Sequence, residues 1–306
     1  MAETDTDPAD SFDARVSPEA LDERAPGLFS RYRRLPRNVL VISLVSLFND
    51  ASSEIIYPLL PLFLTVALGA SPAVVGLIEG GAESVSSFLK LFAGYFSDRS
   101  GKRKAPVVFG YALASFARPL LGFATSWPQV FAVRLADRVG KGIRSAPRDA
   151  MIADSANANE RGLAFGFHRA MDHTGAVVGP LLSYGLLILI ARNKNAPTLG
   201  EYKLIFLAAS VPALAAVLVA AFAIREKRRA RDAGQTTAPP HLSLRGFDGN
   251  FKLFLVLLAL FTLSNSSDAF LLLRAREAGI SMASIPLLWA ALHASKVLSS
   301  LVGGDL

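Results

Sequence analysis

Apolar residues in this sequence come in long blocks separated by short charged or Gly/Pro-containing breaks. Val39 to Phe63, Val74 to Ala93 and Ala105 to Ala124 are the first three blocks. Each approaches the ~20 residues a helix needs to cross a hydrocarbon core about 30 Å thick. Continued along the chain, the pattern predicts eight spanning helices, over 38–67, 73–97, 105–125, 129–152, 163–190, 204–224, 251–272 and 284–304.

The cations fall between the blocks in alternation. Arg31, Arg33, Arg34 and Arg37 precede the first span, Arg99 to Lys104 follow the second, Arg161 follows the fourth, and Arg225 to Arg231 follow the sixth. The connections Gly69 to Ser71 and Ser126 to Pro128 carry no Lys or Arg. Cations mark cytoplasmic loops, so the expectation is a multi-pass protein of the cell membrane (plasma or inner) with its N-terminus in the cytoplasm. Two loops depart mildly from this alternation: Ala191 to Lys203 holds three cations, and Arg274 and Arg276 precede the eighth span.

Composition agrees with this picture. Hydrophobic residues make up 52% of the 306 residues, and the mean hydropathy is +0.38. A net charge of +7 would point to nucleic acid in a soluble protein, but here the positive charge is explained by loops at one membrane face. Zero cysteines exclude disulfides and thiolate metal sites. Residues 1–37 begin acidic and Pro/Ala-rich without an apolar leader, and are expected to form a disordered cytoplasmic tail. Residues 38–224 are expected to form a six-helix bundle, and 225–250, charged and rich in Gly, Pro and Thr, a cytoplasmic linker. Residues 251–306 would begin a second bundle.

A shift of 210 positions pairs Gly69 with Gly279, Ser71 with Ser281, Ala73 with Ala283, Leu91 with Leu301 and Gly94 with Gly304. With the helix count, this favours a parallel repeat of six-helix units. On that alignment the sequence stops two residues before the partner of Asp98, and the expectation is a second half represented only by its first two helices.

Between the second and third spans stands Gly94-Tyr-Phe-Ser-Asp98-Arg99-Ser-Gly101-Lys102-Arg103-Lys104. It resembles the loop signature of the major facilitator superfamily, Gly-x-x-x-Asp-Arg/Lys-x-Gly-Arg-Lys/Arg, with Lys102 where Arg is commoner. The resemblance implies an all-α polytopic membrane protein with that superfamily's fold: a six-helix N-terminal bundle followed here by two helices of the second. It also implies that Asp98 caps a helix in the other half and pairs with an Arg on the fourth helix, Arg144 or Arg148, in a conformational latch with Gly94, Arg99, Gly101, Lys102 and Arg103 that holds the cytoplasmic side in the outward-facing state.

The fourth span contains Arg134, Asp137, Arg138, Lys141, Arg144, Arg148 and Asp149. Its front resembles the superfamily's helix-four motif, with Asp137-Arg138 as a departure. A charge deep in a bilayer costs at least ~2.5–3.5 kcal/mol unless paired or hydrated, so Arg134 is expected to face a central cavity. The fifth span holds Gly175-Ala-Val-Val-Gly179-Pro180, resembling the Gly-x-x-x-Gly-Pro motif of the superfamily's antiporters. Close helix packing alone is the competing reading. One turn earlier stand His168, Arg169, Asp172 and His173, an ionisable cluster of the kind that marks function inside a membrane.

The first span carries Asp50 and Glu54, and the second Glu79 and Glu83. Residues four apart share a helix face. Two carboxylates on one face of a low-dielectric cavity suit the loading and release of a proton, with Arg134 as counter-charge. The alternative is that these acids form structural ion pairs with Arg118 or Arg134.

The leading expectation is therefore a secondary active transporter working by alternating access, proton-coupled, exporting a small molecule or ion in antiport. Its proton-coupling and substrate residues would be Asp50, Glu54, Glu79, Glu83, Arg134, Arg169 and Asp172. Lipid bilayer, substrate and protons are the expected partners, with no nucleic acid, no cofactor, no resident metal and no enzymatic activity. The alternatives are a membrane-embedded metal-binding protein or hydrolase, for which no His-Glu-x-x-His spacing is present, and a non-transporting fragment.

Overall fold

The computed structural model describes residues 32–226, 246–264 and 267–303. The chain divides into a short N-terminal unit, Met1–Leu35, and a large helical unit, Pro36–Leu306. All that follows concerns the second. The tail expected over 1–37 and the linker expected over 225–250 lie mostly outside the described residues.

The large unit is all helix among the described residues, with helices α1 (Arg37–Ala67), α2 (Pro72–Ser100), α3 (Lys104–Phe123), α4 (Trp127–Ser155), α5 (Arg161–Ile190), α6 (Leu199–Ala223), α7 (Gly249–Ser264), α8 (Asp268–Glu277) and α9 (Ile285–Gly303). Local chemistry explains their ends. Pro58 and Pro61 break the α-helical ladder of α1, which finishes as a π-turn over Phe63–Ala67. Pro72 begins α2 after Ser71, and Gly101 closes it in the left-handed conformation at φ 66°. A capping box starts α6: the Thr198 hydroxyl accepts the Glu201 N–H at 3.3 Å, and the Thr198 N–H donates to the Glu201 carboxylate at 2.7 Å.

Length and apolar content suffice for membrane crossing in α1, α3, α5 (extended to Ala158) and α6. Helices α2 and α4, each 29 residues, carry more charge and pack along each other. The seventh span differs from the single helix expected over 251–272. The polar run Ser264-Asn-Ser-Ser-Asp268 separates α7 from α8, and Ser267 caps α8 by accepting the Ala269 N–H. Short hydroxyl and amide side chains compete with the backbone for its hydrogen bonds, which favours caps over continuous helix.

Helices approach closest where glycines meet. A Cβ on Gly175 would collide with the Leu47 carbonyl oxygen, and one on Gly179 would lie 2.6 Å from that of Ala51, so the two set the α1–α5 crossing. Gly110 and Gly140 do the same for α3 and α4. Pro180 lies inside α5 without ending it.

The repeat inferred from sequence has a counterpart in turn geometry. Gly69 and Gly279 are both left-handed, at φ 65° and 92°, and each stands two residues before an extended Ser, Ser71 or Ser281, at which the next helical segment begins.

The apolar core gathers at one end. Leu59 to Leu64 of α1, Val75 and Ile78 of α2, Leu121, Val130, Leu187, the Tyr202–Phe206 turn of α6, Leu272 and Ile285 form one buried cluster. These are the helix ends near the loops at 68–71, 124–126, 191–198 and 278–281. The charged loop 98–104 lies at the opposite end.

Candidate functional site

A cavity of about 540 Å³ lies among α1, α4, α5 and α9, bordered also by Lys90 of α2 and Arg118 of α3. Helical periodicity builds its walls. Asp50, Glu54 and Tyr57 face it from α1, Arg138, Lys141, Arg144 and Arg148 from α4, Arg169, Asp172 and His173 from α5, and Trp289, His293 and Lys296 from α9. The apolar cluster fills the end beyond Glu54 and Tyr57, so the cavity occupies the half of the molecule nearer the charged loop.

Asp50 and Glu54 both border the cavity, and neither has a cation within ion-pair distance among the described residues. Asn49 Nδ2 donates to Asp50 at 2.8 Å, and Trp289 Nε1 donates to Glu54 at 2.6 Å. The second bond joins the first helix to α9. Asp172 faces the same space with Arg169 at 3.7 Å and the His168 ring at 3.6 Å.

Glu79, Glu83 and Arg134 do not belong to this cavity, contrary to the expectation from sequence. Arg134 is buried between α2 and α4 and grips Glu79 through Nη2 at 2.8 and 2.9 Å, with Asp137 at 3.6 Å. Glu83 pairs with Lys141 at 3.2 Å and Arg138 at 3.3 Å. The buried guanidinium has satisfied its charge on the nearer acid of the neighbouring helix, which leaves nothing for Asp50 or Glu54. Arg118 completes the network, donating to Asp137 at 2.9 Å and to the carbonyl and side-chain oxygens of Asn49 at 2.9 and 3.0 Å.

The residues expected to form the latch sit around a different ion pair in this structure. Asp98 pairs with Arg103 at 3.1 Å, and Arg103 in turn binds Asp154 and donates to the Ala150 carbonyl at 3.0 Å. Arg144 and Arg148 stand earlier on α4 than the Ala150 and Asp154 positions that Arg103 binds, and both border the cavity. Gly101 reverses the chain after α2, and this brings Arg103 back beside Asp98. Gly94 lies against Ala146, Arg99 donates to the Tyr95 hydroxyl at 3.2 Å, and Lys102 is exposed. The Glu226 carboxylate accepts the backbone N–H groups of Arg103 at 3.0 Å and Lys104 at 2.8 Å, capping α3.

The face of α9 was not singled out in the sequence. Its signal is legible in retrospect: Trp289, His293 and Lys296 stand at i, i+4 and i+7 in an otherwise apolar span.

A charged cavity enclosed by long apolar helices, with a close-packed apolar seal at one end, defines a multi-pass helical membrane protein built around a polar site. Residues 42–306 match the family model for the Major Facilitator Superfamily, and the chain belongs to that superfamily. It is 36% identical over 245 residues to an uncharacterised MFS-type transporter of Methanocaldococcus jannaschii, covering 80% of this chain and 58% of that protein. A multidrug resistance protein of Photorhabdus laumondii is 28% identical over 133 residues, 44% of this chain and 33% of its own. The chain thus spans less than two thirds of the length of the curated relatives it matches. Among solved structures, a bacterial homologue of the human lysosomal transporter Spinster, inward-facing and occupied, aligns over 84% of this chain and 57% of its own with a TM-score of 0.66 at 17% identity, a likeness of fold.

Proposed function

We propose that the protein is a secondary active transporter of the inner or plasma membrane, moving a small molecule by alternating access in exchange for protons. The observation that carries this reading is the cavity itself. It is bordered by α1 to α5 and by α8 and α9, and among the described residues Asp50 and Glu54 face it without a cation partner. Acids that are neither neutralised nor sealed away can exchange protons with a hydrated cavity. The Glu54–Trp289 bond joins that chemistry to a helix of the second half.

In this reading the loop 98–104 is cytoplasmic, so the structure represents an inward-facing state, with the apolar cluster as the outer seal. Export is favoured by the relationship to a protein named for multidrug resistance and by Gly175, Gly179 and Pro180 on α5. The metal-binding or hydrolase reading gains no observation: among the described residues no three His, Cys, Asp or Glu side chains come together to hold a metal.

The test is proteoliposomes of the protein with an internal pH dye, to which a panel of cationic, zwitterionic and anionic compounds is added. We expect at least one compound to drive proton flux, and Asp50→Asn with Glu54→Gln to abolish it. PH-dependent transport that survives both substitutions overturns the coupling assignment. Metal-dependent hydrolysis without any driven flux overturns the transporter reading.

A further inference from the structure

Eight Lys and Arg side chains border the cavity against five Asp and Glu, an excess of three positive charges. Several of the eight are neutralised nearby: Arg118 by Asp137, Arg138 and Lys141 by Glu83, Arg148 by Asp149, and Arg169 by Asp172. Arg144 is not. It is buried to 5% exposure, and among the described residues no carboxylate lies within 4 Å of it. It rests over the Tyr111 ring at 4.6 Å and makes one long hydrogen bond, to the Gly110 carbonyl at 3.5 Å. A guanidinium has five N–H donors, so most of its capacity is unused. A buried cation with no direct ion pair is disfavoured, and the cavity it borders can supply one.

A second, independent observation comes from α9. His293 is 8% exposed, borders the same cavity, and neither ring nitrogen has a hydrogen-bond partner among the described residues. Lys296, one turn on, also borders the cavity and has no carboxylate within 4 Å among the described residues. Two walls, one from the six-helix bundle and one from the second half, thus place basic side chains beside the cavity that no carboxylate among the described residues pairs with.

We infer that the cavity takes a small oxyanion, a carboxylate or phosphate, held by Arg144 with Arg148 on α4 and by His293 with Lys296 on α9. The planar guanidinium fork matches the paired oxygens of either group. Such an anion bridges the two halves of the chain, while Asp50 and Glu54 on α1 remain for protons. As a statement about substrate, the inference rests on the transporter reading above. As a statement about binding, it does not.

Trp289 borders the cavity, and the only other tryptophan, Trp127, stands at the start of α4 near the sealed end. A Trp127→Phe chain in nanodiscs therefore reports on the cavity through Trp289 fluorescence. Sodium phosphate, sodium citrate and tetraethylammonium chloride are titrated at matched ionic strength. We expect a saturable change with phosphate or citrate and none with tetraethylammonium. A response to phosphate alone marks a phosphoryl ligand, and one to citrate alone a carboxylate. Arg144→Gln should raise the midpoint by about tenfold or more and Arg144→Lys by less, since a hydrogen bond to a charged group is worth roughly that much. Lys296→Gln, nearer the cavity rim, should raise it severalfold and carries the test if Arg144→Gln does not fold. A saturable response to tetraethylammonium only, no response to either anion, or midpoints unchanged in both variants overturns the anion site. Saturable anion binding with no compound driving proton flux leaves the anion site standing and removes the transporter reading instead.

Discussion

Two pairs of carboxylates share one sequence pattern and meet different fates. Asp50 and Glu54 on α1, and Glu79 and Glu83 on α2, are each four residues apart, and each pair lies inside a long helix. On α2 both acids are taken up by cations of α4: Glu79 by Arg134, and Glu83 by Lys141 and Arg138. On α1 both are left facing the cavity, with neutral donors Asn49 and Trp289 as their partners. The cause is the neighbour. Helix α1 packs on α5 through Gly175 and Gly179, so backbone contact fixes the crossing and no charge is needed there. Helix α2 packs on the most charged helix of the chain. Identical spacing therefore gives a structural clamp in one place and free ionisable groups in the other, and the opposing helix decides which.

The contrast can be broken at its strongest point first. Glu79→Gln removes the closer of the two carboxylates that pair with buried Arg134, leaving only Asp137 at 3.6 Å, and should cost about 3–5 kcal/mol, read as a lower thermal unfolding midpoint in detergent. The double change Glu79→Leu with Arg134→Met should recover most of that loss, because well-packed apolar replacements of buried ion pairs are close to neutral. A mild single variant, or a double variant no better than the single, contradicts the clamp. Next in size, Gly175→Val should cost about 1–3 kcal/mol or more through overpacking against Leu47; unchanged stability would mean that α1 and α5 are not held by that crossing. Glu83→Gln should cost less than about 1 kcal/mol, since the Glu83 side chain is 47% exposed. Smallest for stability are Asp50→Asn and Glu54→Gln, within about 1 kcal/mol, because an amide still accepts the Trp289 N–H. These two should nonetheless remove the pH dependence of transport measured in proteoliposomes. A large folding defect from either would place the α1 acids in the same structural class as Glu79.

The fold was legible because its signals are one-dimensional. Apolar block lengths, the alternation of cations and the Gly94 to Lys104 motif all read along the chain. The site was half legible for the same reason. Sequence gives the height of a residue on a helix and its face relative to others on that helix, so Asp50 and Glu54, or Arg169 and Asp172, could be grouped. It does not give the azimuth of that face relative to other helices. Arg134 was therefore assigned to the cavity when it points to α2. Asp98 was assigned to Arg144 or Arg148 because the left-handed turn at Gly101, which returns Arg103 to it, acts over five residues and is hidden in a linear reading. The α9 face was passed over because one Trp, one His and one Lys in an apolar span look unremarkable until a cavity gives them a common direction.

Glu226 stands three residues past the end of α6, yet its carboxylate closes the first turn of α3 and bonds the backbone of Arg103. Arg225, beside it, exchanges two hydrogen bonds with Asn38 at the start of α1. The strand leaving the sixth helix is thus stitched to the first and third before it departs. For protein engineering this fixes where the six-helix unit can be joined to something else: a tag, a fusion partner or a split site placed between Ala223 and Glu226 pulls these stitches out, whereas one placed after Glu226 leaves them intact.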